Sequence, residues 1–140
     1  MRSDLVIDAS VALAWCFPDE RTDQSSRVLD ELRQRRGIVP GIWPLEVTNA
    51  IVTAERRKRV MEADVSRFFA LMSQLSLTVD VLTAQQSFAN ILPLARAHGL
   101  SAYDASYLEL AMREGCTLAT LDAKLRKVAK ASGVAVFPDK

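Results

Sequence analysis

Short apolar runs alternate along the chain with longer stretches whose apolar residues recur every three or four positions. Leu5-Val6-Ile7, Ile38-Val39, Leu77 to Leu82, Cys116 to Thr120 and Val134 to Phe137 read as strands. Between them, helical patterns cover Ser10 to Cys16 (stopped by Pro18), Asp23 to Arg36, a stretch from Pro44 to about Arg59, Glu62 to Leu75, Ala84 to His98, Ser101 to Gly115 and Asp122 to Ser132. Val28, Leu29 and Leu32 share one face of the second of these helices, and Gly37 is expected to close it. Pro44 suits a first helical turn, whereas Pro93 should kink or split its helix. Strands separated by helices imply βαβ crossovers. The predicted class is α/β, a central mostly parallel sheet with helices on both faces.

Length changes this picture little: 140 residues fit one domain, 1–140, with no repeat, low-complexity tract or linker. Charge removes more. Lys and Arg number 18 against 17 Asp and Glu, so bulk charge announces no polyanion binder and any such role needs local clustering. Cys16, Cys116 and His98 cannot supply the four ligands of a structural zinc site, nor do two distant cysteines make a disulfide framework. His98, before Gly99, suits a helix C-terminus better than catalysis. The longest apolar run, Val11 to Phe17, is far shorter than the ~20 residues of a membrane span. With no signal-peptide pattern after Met1, a cytoplasmic protein without a membrane partner is expected.

The acids carry the chemistry. Asp8 ends the first strand, Glu46 follows Pro44 in a first helical turn, Asp104 stands three residues after Ser101, and Asp122 follows Leu118-Ala119-Thr120. Each alone reads equally as a helix cap or a partner of the helix dipole. Together they collect on the rim of a parallel sheet where ligands bind. Two carboxylates ~5 Å apart repel by about 3 kcal/mol at an effective dielectric of 20. A hard cation such as Mg²⁺ or Mn²⁺ relieves that repulsion. Ser10 and Thr120 can orient a carboxylate or a water, and Asn49, one turn beyond Glu46, can hold Glu46 in place. A carboxylate-held ion beside helix N-termini suits a phosphate, with water activated by the metal.

Val6-Ile7-Asp8-Ala9-Ser10, Pro44-Leu45-Glu46-Val47-Thr48-Asn49-Ala50, Leu100 to Ala111 with Tyr103-Asp104 and Tyr107, and Leu118-Ala119-Thr120-Leu121-Asp122 together resemble the PIN-domain family, and within it the VapC-type ribonuclease toxins. The resemblance runs from Leu5 to Phe137. It implies a PIN-like α/β fold and a Mg²⁺- or Mn²⁺-dependent endoribonuclease acting on structured RNA, tRNA or ribosomal RNA. Asp8, Glu46, Asp104 and Asp122 would be its acidic set, Ser10 and Thr120 its hydroxyls and Asn49 its polar neighbour. It also implies a homodimer neutralised by a cognate antitoxin. Lys124 departs from the pattern, standing where some members carry a further acid, so the number of metals stays open.

Basic residues cluster at Arg33, Arg35 and Arg36, at Arg56 to Arg59, and at Lys124, Arg126, Lys127 and Lys130. The first two groups suit helix C-termini, while Lys124 and Lys127, within two turns of Asp122, are expected to contact RNA phosphates. Trp15, Phe17, Trp43, Phe68, Phe69 and Met72 are read mainly as core, with some free to line a partner groove. Two other readings remain at this point: a non-cleaving RNA- or antitoxin-binding module, and a phospho-aspartyl phosphatase or receiver domain. The phosphatase pattern wants a second acid where Ser10 stands, and the receiver pattern wants a lysine after a late strand that the Asp122 strand lacks.

Overall fold

The computed structural model describes residues 4–139; Met1–Ser3 and Lys140 lie outside them. Its strands are β1 (Leu5–Ile7), β2 (Gly37–Val39), β3 (Leu77–Val79), β4 (Thr117–Ala119) and β5 (Val136–Phe137). They are joined by α1 (Ala9–Cys16), α2 (Asp23–Leu32), α3 (Trp43–Arg56), α4 (Glu62–Met72), α5 (Thr83–Gln86), α6 (Leu92–His98), α7 (Ala102–Glu114) and α8 (Ala123–Ala131). The sheet order is β3-β2-β1-β4-β5, and every neighbouring pair is parallel. The chain steps outward from β1 to β3, then crosses back to β4 on the other side of β1. The carboxyl ends of β1 and β4 therefore flank a topological switch point, where open α/β sheets bind ligands.

Alternation along β1 builds both layers. Leu5 and Ile7 face a cluster with Val11, Trp15, Val28, Val47 and Phe68, while Val6 faces one with Leu108, Leu118 and Leu125. Burying each such side chain contributes ~1.5–3 kcal/mol, and the sheet is held from both sides. Trp15, Phe17 and Phe68 are core as expected, Trp43 and Met72 are half-buried, and Phe69 is exposed.

Several boundaries differ from the sequence pattern. Helix α2 stops at Leu32 rather than Arg36, because the Arg33 N–H tightens onto the Asp30 and Glu31 carbonyls. Arg33, Arg35 and Arg36 consequently lie beyond it, paired with Asp30, Glu31 and Asp4. Gly37 opens β2 instead of capping a helix; a Cβ there would lie 2.5 Å from Leu77 Cδ2 and 3.0 Å from Leu32 Cδ2. Helix α3 ends at Arg56, before Lys58 turns left-handed at φ 57°. Strand β3 ends at Val79, and Asp80 closes it by donating its N–H to the Val39 carbonyl at 2.7 Å. The helical stretch around Pro93 is split, with a π turn at Ser87–Ile91 and Pro93 in the first turn of α6. Gly99 at φ 63° caps α6 directly after His98, as read from the sequence.

Candidate active site

The register pairs Ile7 of β1 with Ala119 of β4, so Asp8 and Thr120, the next residue on each strand, emerge side by side at the switch point. Asp8 is only 6% exposed and Thr120 is fully buried. The Thr120 hydroxyl donates to Asp8 Oδ2. Ser10 Oγ and the Val11 N–H donate to Oδ1 at 2.7 and 3.1 Å. Both carboxylate oxygens are thus aimed by the fold. The Val11 bond also makes Asp8 the N-cap of α1, so capping and site-building share one side chain, whose oxygens keep lone pairs to spare.

The Asp122 N–H donates to Thr120 Oγ1 at 3.0 Å, and the Asp122 carboxylate caps α8 through the Leu125 N–H at 3.0 Å. Asp104 occupies the first turn of α7. Its backbone N–H is satisfied by Ser101 Oγ at 3.0 Å, so the Asp104 carboxylate is not spent on the cap.

Glu46 stands in the first turn of α3 behind Pro44 and accepts the Tyr107 hydroxyl at 2.6 Å. Asn49, expected to hold Glu46, is exposed and makes no hydrogen bond to it. Side chains on a helix lean toward its N-terminus, so Glu46 leans away from the residue a turn further on. The residue that fills the role, Tyr107, had one available signal. It lies three positions after Asp104, on the same helical face.

Burial pushes the Asp8, Glu46 and Asp104 carboxyls above the usual carboxylate range. Mutual repulsion adds to this: Asp104 acts on Asp8 and Glu46, Asp8 acts on Glu46, and Asp122 acts on Asp104. Hydrogen bonds from Thr120, Ser10 and Val11 oppose the shift at Asp8, the Tyr107 hydroxyl opposes it at Glu46, and the Lys124 charge opposes it at Asp104. Among the described residues none of the four acids is in an ion pair. Asp80, at the end of β3, is the instructive contrast. Its burial would raise its pKa, but Arg113 holds it at 2.7 and 3.2 Å and Thr83 at 2.7 Å, and the carboxyl falls below its usual range. That cluster, completed by Glu109 at 2.7 Å from Arg113 Nε, is not announced by the sequence pattern beyond the i,i+4 spacing of Glu109 and Arg113.

Among the described residues no group of three or more His, Cys, Asp or Glu side chains is arranged so that it could hold a metal ion. The four acids offer oxygen donors only and make no ion pair among the described residues, which is the chemistry a hard divalent cation satisfies. Lys124 Nζ donates to the Gly99 carbonyl at 2.6 Å, tying α8 to the loop before α7 beside Asp104, while Lys127 is exposed. A cavity of 570 Å³ lined by Pro93, Leu94, Glu109 and Met112 lies between α6 and α7 and contains none of the four acids.

The PIN domain family matches residues 5–131. Ribonuclease VapC3 of Pyrobaculum aerophilum is 29% identical to this chain over 121 residues, 86% of this chain and 91% of that protein. Ribonuclease VapC9 of Mycobacterium tuberculosis is 33% identical over 127 residues, 91% of this chain and 92% of that protein. In fold the chain is similar to the crystal structure of VapBC2 from Rickettsia felis bound to a DNA fragment from their promoter. The TM-score is 0.67 at 14% identity, covering 94% of this chain and 96% of that one.

Proposed function

The chain belongs to the PIN-domain family, and from that premise we propose that it is a divalent-metal-dependent endoribonuclease of the VapC type. What supports the reading is that Asp8, Glu46, Asp104 and Asp122 stand at strand ends and helix starts within electrostatic reach of one another, and that none of them is in an ion pair among the described residues. These four would hold the metal, Mg²⁺ or Mn²⁺. Such an ion, when bound, supplies Lewis-acid polarisation of a phosphate and a water of lowered pKa. The protein's own work is orientation. Ser10, Val11 and Thr120 fix both oxygens of Asp8, and the N-termini of α1, α7 and α8 present their positive dipole ends to the same rim. An anionic RNA backbone laid along this rim would meet these groups and the Lys124 and Lys127 charges.

The likeness to VapC proteins supports a cognate antitoxin as protein partner, a homodimeric assembly, and structured RNA, tRNA or ribosomal RNA, as substrate. No helix of the described residues is long and apolar enough to cross a membrane; cytoplasmic action fits an RNA target. The whole chain, 1–140, acts as one domain.

Expression of the chain alone in a bacterium, beside its Asp8→Asn variant, tests the reading. The parent should arrest growth and fragment RNA, and the variant should do neither. Equal growth arrest by both forms, with intact RNA, would instead make the chain a binding module.

A further inference from the structure

Tyr107 reaches from the second apolar cluster toward elements that carry the acids. It sits on α7 one turn beyond Asp104 and is 1% exposed, packed with Val6, Leu108 and Leu118. Its hydroxyl crosses to α3 and donates to Glu46 Oε1 at 2.6 Å. The Ala9 backbone at the start of α1, directly after Asp8, lies against the same oxygen, and the Asp8 carboxylate is within electrostatic reach. The phenol places a polar atom at the floor of the acidic rim, where Glu46 is its partner.

We propose that Tyr107 is a positioning residue for the acidic rim: its buried hydroxyl fixes the Glu46 carboxylate, and the affinity of the rim for a divalent ion depends on that hold. The inference rests on the metal-dependent reading above and extends it. Glu46 needs such help more than Asp8 and Asp122 do. Asp8 has three donors on its two oxygens and Asp122 has its own cap, each on a short side chain. Glu46 has one more torsion to fix and, among the described residues, a single hydrogen-bond donor to its carboxylate, Tyr107. A rigid ring, locked by packing on α7, is a firmer anchor than the exposed Asn49 of its own helix. Tyr107 acts through Glu46 and is not itself assigned contact with the metal or the substrate.

The test is a titration of the purified, metal-free chain with Mn²⁺ alone, read by calorimetry. The parent, Tyr107→Phe, Glu46→Ala and the double variant are compared, with thermal melts confirming that each is folded. Removing an outer partner of a metal ligand characteristically weakens metal binding about 10- to 100-fold, and that is the loss expected for Tyr107→Phe. In the Glu46→Ala background the same change should cost less than about two-fold, because the carboxylate it positions is gone. A purely structural tyrosine would shift the melting temperature but leave Mn²⁺ affinity unmoved. Parental affinity in Tyr107→Phe overturns the proposal while leaving the ribonuclease reading intact, as does an undiminished loss in the Glu46→Ala background. A parent chain that binds no Mn²⁺ and cuts no RNA overturns both.

Discussion

Asp104 is where the cost of the site is most plainly legible at the scale of one residue. Its carboxyl is raised by burial and by Asp122 against the opposing Lys124 charge, and among the described residues no hydrogen bond is made to its side-chain oxygens. A group whose folded pKa lies above its unfolded value contributes stability below the usual carboxylate range and loses it as pH rises through the raised value. At pH 7.5 the ionised Asp104 of the metal-free chain is therefore a burden. Asp104→Asn should melt higher than the parent at pH 7.5 in chelator, the gap closing as both are acidified, and should abolish RNA cleavage. A variant that melts lower at every pH would mark Asp104 as a structural element of α7. Asp8→Asn is the less clean probe, because an amide cannot accept from Thr120, Ser10 and Val11 as the carboxylate does.

At the scale of elements, the acids are placed by helix starts and the edge of the sheet is held by a different group of charges. Arg113 on α7 clamps Asp80 after β3 and Glu109 on its own helix, both carboxylates being nearly buried. Arg113→Met leaves two buried carboxylates without a cation and should lower stability to urea by about 3 kcal/mol, in the range measured when one partner of a buried pair is removed. Replacing Asp80 and Glu109 as well by apolar residues should recover much of that loss. The element types and their order were readable from apolar periodicity, as was the split at Pro93. Their ends were not. Helix α2 stops at Leu32 and β3 at Val79 because of contacts with Asp30, Glu31 and Val39 that no periodicity encodes.

For the whole molecule, the near-balance of charge conceals a local asymmetry: acids line the rim of β1 and β4, and lysines follow on α8. Replacing both Lys124 and Lys127 by alanine should reduce the slope of log affinity for single-stranded RNA against log salt by about 0.7 per lost contact. An unchanged slope would remove both lysines from the RNA path. Lys124 also ties α8 to Gly99, so the single Lys127→Ala variant isolates the phosphate contribution from that tether.

What the sequence determined by itself was the alternation of strand and helix and the position of each acid at a strand end or helix start, because periodicity, caps and turns are local properties. Ser10 and Thr120 were legible for the same reason, each standing two residues from an acid. Only the tertiary structure decided which groups meet. Tyr107 reaches Glu46 across 61 positions and Arg113 reaches Asp80 across 33. Those pairings, which leave one set of carboxylates without an ion pair among the described residues and neutralise another of similar local appearance, follow from sheet order and helix packing, and no short window along the chain contains both partners.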